Sequence, residues 1–333
     1  MSEIRLNRLT GEWVVIAPER AKRGGNIPRP VAPIAVPTHD PTCPFCIGNE
    51  AMSGETLYSA PDEGGRWSVR AVMNKFSALS PHGGVNCADG PRELGETVNG
   101  VGLHEVVVET PHHHLSLAQL PEGQTQRVIE AYLQRFRDCY ADPRVRHVII
   151  FKNHGLDAGA SQQHSHSQVV GIPIVPGQVH DRLEGAARFF SETGQCLACT
   201  MIAQELEAST RIVAENAHFI AFIPYAALSP FHLWIFPKAH AACFSSLPAA
   251  AVRDLAEIVH TVLAKVYGLL ANPPFNLVVR SLGPQEADAP HFHWYIPIVP
   301  RVIRTAGFEL GTGMYINPSL PEASAKALRE YPV

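Results

Sequence analysis

The sequence predicts an α+β fold made of two diverged copies of one unit, and three observations lead there. A Cys-x-x-Cys pair occurs twice, as Cys43-Pro44-Phe45-Cys46 and Cys196-Leu197-Ala198-Cys199. A shift of 127 residues lays His113 on His240, Leu120-Pro121 on Leu247-Pro248, and His164-Ser165-His166 on His291-Phe292-His293. Each His-x-His then runs into the same words, Ile172-Pro173-Ile174-Val175-Pro176 and Ile296-Pro297-Ile298-Val299-Pro300, three residues sooner in the second copy. Self-similarity at a fixed offset is the mark of an internal repeat. The expected halves are residues 1–177 and 178–333.

The elements follow from local pattern. Trp13-Val14-Val15-Ile16, Val106-Val107-Val108 and His147-Val148-Ile149-Ile150-Phe151 are rich in β-branched residues and read as strands. Val128, Ile129, Tyr132, Leu133 and Phe136 recur at helical spacing within 122–141, as do Val252, Leu255, Ile258, Val259, Val262 and Leu263 within 249–270. Residues 24–44, with Gly24, Gly25 and six prolines, read as an extended loop leading to Cys43. The stretch 80–102, carrying Gly83, Gly84, Gly90, Gly95 and Gly100, reads as another. Each copy is therefore a Cys-x-x-Cys, strands, a His, a helix, strands, and a His-x-His on a strand.

Composition narrows the function classes. The chain has 333 residues, 46% apolar and 17% charged, enough to bury a large core in two domains or one. A net charge of -4 and a pI near 6.5 argue against a general nucleic-acid surface, which needs a basic patch. A small anionic substrate needs only a few local arginines. The start Met1-Ser2-Glu3-Ile4-Arg5 lacks the basic and apolar regions of a signal peptide. No apolar run reaches the roughly 18 residues of a membrane span. The expectation is a cytoplasmic protein with no membrane partner. Cysteines 43, 46, 87, 139, 196, 199 and 243 form an odd set, which favours metal sites over a disulfide framework. Cys87, Cys139 and Cys243 read as ordinary buried residues.

A lone Cys-x-x-Cys is a weak signal, with redox chemistry as competitor. Two of them, each followed by the same His…His register, point to zinc, which favours four tetrahedral Cys and His ligands. The first copy offers Cys43, Cys46, a His of the His112-His113-His114 run and His164; the repeat register selects His113. The second offers Cys196, Cys199, His240 and His291. Four protein ligands per site leave no open position, so structural zinc is expected, one ion in the first half and a second in the other.

Chemistry is expected in the first half. On a strand, residues 164, 166 and 168 share a face, so a metal on His164 would fix where the His166 ring points and leave Gln168 beside it as a donor. Upstream, Asn153 to Ser161 carries Gly155, Gly159 and Ser161, and such a loop can expose backbone N–H groups to phosphate oxygens. Neutral imidazole is a good nucleophile at phosphorus near neutral pH, and placed donors stabilise the charge that develops there. The second half has Gln285-Glu286-Ala287-Asp288-Ala289-Pro290 before its His-x-His, with no counterpart of Ser161 or Gln168.

Taken together, Asn153-x5-Gly159-x-Ser161-x2-His164-x-His166-x-Gln168 resembles the active-site segment of the galactose-1-phosphate uridylyltransferases, a branch of the histidine-triad superfamily. The agreement spans nearly the whole chain, through Arg20-Ala21-Lys22-Arg23, Cys43-Pro44-Phe45-Cys46, Asn74-Lys75-Phe76-Ser77-Ala78-Leu79, Pro111-His112-His113 and Pro237-Lys238-Ala239-His240. The resemblance implies two tandem histidine-triad-like units, each an antiparallel sheet with packed helices. It implies that His166 attacks the α-phosphorus of a nucleotide sugar, expels sugar 1-phosphate and passes the nucleotide to a second phosphate-bearing substrate. Zinc ligands carried over are Cys43, Cys46, His113 and His164. Substrate contacts carried over are Arg20, Arg23, Asn74, Asn153, Gly159, Ser161 and Gln168, with Glu309 in the sugar-contacting segment.

A homodimer is implied, as is a place in galactose metabolism, with UDP-glucose and galactose 1-phosphate giving glucose 1-phosphate and UDP-galactose. Two departures stand out. Ser165 replaces the Pro of the best-known bacterial members, and Tyr315 replaces the Gln six residues beyond Glu309. With the second Cys-x-x-Cys, they are more similar to the family's ADP-glucose phosphorylase, whose acceptor is phosphate. A zinc-stabilised nucleotide-binding module is the alternative of another class.

Overall fold

The computed structural model describes residues 2–22, 36–85 and 97–333. Arg23, expected as a substrate contact, and Cys87 lie outside the described residues. In chain order the strands and helices are β1 (Glu3–Leu6), β2 (Trp13–Ile16), β3 (Thr56–Pro61), β4 (Trp67–Met73), β5 (Leu103–Val108), α1 (Glu122–Ala141), β6 (His147–His154) and β7 (His166–Ile172). There follow α2 (Gly177–Thr193), α3 (Leu197–Ala208), β8 (Ile212–Glu215), β9 (Phe219–Phe222), β10 (Leu233–Pro237), α4 (Ala249–Leu269), β11 (Phe275–Val279), β12 (Ile296–Pro300), α5 (Gly307–Thr312), β13 (Tyr315–Asn317) and α6 (Pro321–Glu330).

Ten strands form one sheet in the order β3-β4-β5-β7-β6-β11-β12-β10-β9-β8. The repeat is visible in that order. Strands β3 to β7 and β8 to β12 pair in the same sequence, every pair antiparallel, and the two five-stranded halves join where β6 runs against β11. Asn153 lies opposite Asn276 across this seam. A separate three-stranded sheet, β1-β2-β13, pairs β2 in parallel with β13, so the N-terminal segment is tied to the C-terminal one.

Strand alternation divides the buried residues between two faces. On one, Val69, Ala71, Val107 and Val169 meet Val128, Tyr132 and Phe136 of α1, while Ile235, Leu277 and Ile298 meet Leu255, Val259 and Val262 of α4. Helices α1 and α4 also pack on each other. Each such apolar side chain contributes about 1.5–3 kcal/mol when fully buried. On the opposite face, Val72, Val106 and Val108 carry the Cys43–Cys46 turn, and Ile220, Phe222, Trp234, Phe236 and Tyr295 carry the Cys196 end of α3. This second face carries both Cys-x-x-Cys segments.

Candidate active site and metal centres

In the first half the four expected ligands converge. Cys43, Cys46, His113 and His164 are all buried, and one donor atom of each lies within 4.8 Å of the others. Cys46 Sγ is 3.3 Å from His113 Nδ1, and both sulfurs are 3.6 Å from His164 Nδ1. Zinc with sulfur at about 2.3 Å and nitrogen at about 2.0 Å in a tetrahedron separates such atoms by about 3.6 Å, so the set fits zinc. Nε2–H of His164 donates to the Thr110 carbonyl at 2.7 Å, which turns the Nδ1 lone pair inward.

The second half forms the same kind of cluster with one change. Cys196, Cys199, His240 and His293 come together, and His291 is not among them. Cys199 Sγ lies 3.4 Å from Nδ1 of both His240 and His293. His293 Nε2 donates to the Pro237 carbonyl at 3.0 Å, as His164 does to Thr110; each carbonyl sits three residues before the cluster's other His. His293 is therefore the structural counterpart of His164. The 127-residue register misplaced it because the second copy gains two residues between its ligand histidines. The shared Ile-Pro-Ile-Val-Pro words mislead in the same way, since Ile172 ends β7 whereas Ile296–Pro300 is β12. The corrected register puts buried Tyr295 where the first half has His166.

His166 opens β7, 7% exposed, with its ring centroid 5.4 Å from that of Phe45. Its Nδ1 is 2.8 Å from the His164 carbonyl, an acceptor only, so Nδ1 carries the proton and Nε2 keeps its lone pair. Burial holds the imidazole pKa below its ordinary value. Lys152 adds to that, while the His164 carbonyl and Glu109 oppose it. The ring is thus neutral near neutral pH and oriented, with a lone pair on Nε2.

Beneath it lies a buried ion pair that sequence reasoning missed. Lys152 Nζ donates to Glu109 Oε2 at 2.7 Å, to Ser165 Oγ at 3.0 Å and to the His166 carbonyl at 3.0 Å, which uses all three of its N–H groups. Glu109 also accepts from Ser165 at 2.6 Å, from Tyr132 at 2.9 Å and from Ser167. Burial pushes the Glu109 carboxyl up, but Lys152 and the serine hydroxyls outweigh it and hold the pKa below the usual range. The only signal in sequence was a charge at the end of each of two apolar runs, Glu109 after Val106-Val107-Val108 and Lys152 after Val148-Ile149-Ile150-Phe151.

The loop after β6 is a tight turn. Gly155 and Gly159 have φ of 79° and 88°, and a Cβ on Gly155 would sit 3.0 Å from Pro274. The N–H groups of Ala158, Gly159 and Ala160 donate to Gly155 and Leu156 carbonyls inside the turn. Those three N–H groups are taken up inside the turn, while Asn153 is half-buried and Ser161 exposed. Asn153 is oriented from the other half, because Asn276 Nδ2 donates to its Oδ1 at 2.8 Å and to the Ala158 carbonyl at 2.9 Å. The Asn153 amide N–H2 is left with one long contact, 3.5 Å to Gly159 O.

Two further expected contacts meet around His104, a buried residue the sequence did not single out. Its Nε2 is 2.7 Å from Gln168 Oε1 and 3.0 Å from Asn74 Nδ2, and its Nδ1 is 3.1 Å from the Ala78 amide nitrogen. Arg20 and Glu309 line one cleft of about 590 Å³ with Asp157 of the β6 loop, Arg301 and Arg304. Tyr315 lines a smaller adjoining pocket of about 170 Å³, where Glu309, Arg301 and Arg304 recur. Among the described residues, no helix is long and apolar enough to cross a membrane.

Known proteins share this architecture. Residues 1–176 match the family described as galactose-1-phosphate uridyl transferase, N-terminal domain, and residues 103–330 match a domain of unknown function. An ADP-glucose phosphorylase of Arabidopsis thaliana is 35% identical over 98% of this chain and 92% of its own length. A galactose-1-phosphate uridylyltransferase of Thermotoga maritima is 29% identical over 99% and 98%. The crystal structure of an Arabidopsis thaliana ADP-glucose phosphorylase with bound ADP-glucose superposes with a TM-score of 0.84 at 32% identity, covering 100% of this chain and 99% of that one. A uridylyltransferase structure superposes at 0.75 with 26% identity, covering 99% and 97%. The chain belongs to the galactose-1-phosphate uridylyltransferase family, with ADP-glucose phosphorylase among its relatives.

Proposed function

We propose that this protein moves a nucleotidyl group from a nucleotide sugar to a phosphate-bearing acceptor through a nucleotidyl-His166 intermediate, with ADP-glucose as donor and phosphate as acceptor. The observation that carries the mechanism is the bond from His166 Nδ1–H to the His164 carbonyl, which leaves the Nε2 lone pair as attacking group. Nε2 attacks the α-phosphorus, the bond to the bridging oxygen breaks, and glucose 1-phosphate leaves with that electron pair. Phosphate then attacks the same phosphorus, the P–N bond breaks with its electron pair returning to Nε2, ADP is released and neutral His166 is restored. Asn153, Ser161 and Gln168 supply donors to the charge developing at phosphorus. Arg20, Glu309 and the arginines of the cleft receive the sugar-phosphate end. Zinc, when bound by Cys43, Cys46, His113 and His164, fixes the approach to β7; His293 completes the second site with Cys196, Cys199 and His240.

ADP-glucose is preferred on the 35% identity to a phosphorylase and on Tyr315 beyond Glu309. Uridylyl transfer from UDP-glucose to galactose 1-phosphate is the second reading, supported by the Thermotoga maritima relative. Purified protein is incubated with ADP-glucose plus phosphate and, separately, with UDP-glucose plus galactose 1-phosphate. Formation of ADP and glucose 1-phosphate in the first mixture is expected. UDP-galactose in the second with no ADP in the first would replace the donor assignment. His166→Ala is expected to fold, hold its metal and make neither product.

A further inference from the structure

We infer that His104 is a positioning residue for the transfer: it locks Gln168 with its carboxamide N–H2 group facing the phosphate. The inference rests on the reading of Gln168 as a phosphate contact. The Ala78 backbone N–H can only donate, and it points at His104 Nδ1 from 3.1 Å. Nδ1 must therefore hold the lone pair, and the ring proton sits on Nε2. Nε2–H in turn needs an acceptor, and at 2.7 Å it has Gln168 Oε1. The Gln168 amide is thereby fixed in one of its two otherwise equivalent orientations, with the oxygen engaged and both N–H bonds available.

The alternative orientation would turn the carboxamide oxygen towards phosphate oxygens. A neutral His104 cannot support it, because Nδ1 and Nε2 would then both have to accept.

Asn74 sharpens the point. Its Oδ1 accepts from the Phe76 N–H at 2.9 Å, so its Nδ2 is a donor, yet that nitrogen lies 3.0 Å from the protonated Nε2 of His104. Two donors meet there and no hydrogen bond joins them. The half-buried Asn74 and Gln168 amides thus present N–H groups in excess of the acceptors around them. An anionic group with several oxygens satisfies that surplus, as the phosphates of a nucleotide sugar do. His104 is 8% exposed and reaches the substrate only through these neighbours.

Because His104 also pins the 74–79 loop through Ala78, a merely structural role predicts loss from any substitution. Two variants separate the roles. In His104→Asn the side-chain oxygen can still accept from Ala78, while the donor to Gln168 is gone. In His104→Gln the longer amide can still donate to Gln168, while the loop contact is lost. The readout is the single-turnover rate of nucleotidyl-enzyme formation with ADP-glucose and with UDP-glucose. His104→Asn is expected to slow it about 10- to 100-fold, as small misplacements at a reacting centre do. His104→Gln is expected to stay close to wild type. In a Gln168→Ala background, His104→Asn adds no further loss, because the residue acts through Gln168. A full additional loss in that background, or His104→Gln falling below His104→Asn, overturns the inference. Nitrogen NMR of the ring in ligand-free protein, assigned by its disappearance in His104→Gln, gives a readout independent of activity: a proton on Nδ1 overturns the inference. If wild type takes label from neither nucleotide sugar, it is the functional reading that fails, and the ring-proton position still decides whether His104 orients Gln168.

Discussion

Replacing Lys152 by Met removes one member of the ion pair under His166 and leaves the other in place. Glu109 is fully buried and Lys152 is 1% exposed, so no solvent is available to take over from the ammonium. The Glu109 carboxylate would keep the hydroxyls of Ser165, Ser167 and Tyr132 and lose its counter-charge; breaking a buried pair in this way costs about 3–5 kcal/mol. Glu109→Gln alone is expected to cost a similar amount, because it strands the ammonium. The double variant Lys152→Met/Glu109→Gln removes both charges while Gln still accepts from the hydroxyls, so it should be markedly more stable than the sum of the single losses. Urea unfolding at pH 7 measures all four proteins, and the cycle isolates the coupling. Lys152→Met within about 1 kcal/mol of wild type, the scale of a surface change, or strictly additive losses, would refute the view that the two charges depend on each other.

The remaining expectations address the metal, the seam and the acid limit. Elemental analysis of wild type should give about two zinc ions per chain, His293→Ala about one, and His291→Ala about two; an inverted result for the two histidines would restore the first-copy register to the second site. Asn276→Ala frees Asn153 and the Ala158 carbonyl, and should slow nucleotidyl-enzyme formation about tenfold without loss of either metal; an unchanged rate would show that Asn153 is held without the second half. His147 is buried, and burial, with Arg280 adding to it, pushes its pKa down to about 4. The neutral ring's contribution to stability is therefore complete above the unfolded value near 6.5 and lost as pH falls to about 4, roughly 3 kcal/mol at about 1.36 kcal/mol per unit. A His147→Gln variant should show a flatter stability profile over that window; the same slope as wild type would remove His147 as a source.

The parts legible in the sequence were those whose chemistry is contiguous. Asn153 to Gln168 carries a turn, two histidines and an amide within sixteen residues, and strand alternation places His166 and Gln168 on one face. The apolar spacing of Val128 to Phe136 and Val252 to Leu263 located α1 and α4 to within a residue. His113 was separable from His112 and His114 only by the repeat. That same device failed at His291, because an offset inferred from identical words cannot register two added residues. Contacts between distant segments were silent. Lys152 with Glu109, His104 with Ala78, and Asn276 with Asn153 depend on how strands pair, which no local pattern encodes. The glycines of the β6 loop were visible, but which N–H groups the turn would consume internally was not.

The central claim is that His166 carries the nucleotide. Protein mixed with ADP-glucose in the absence of acceptor, digested under alkaline conditions and mapped by mass spectrometry, should show one AMP joined to the peptide containing His166, and added phosphate should discharge it as ADP. An enzyme that turns over ADP-glucose or UDP-glucose yet carries the nucleotide on another residue, or on none, would contradict the account.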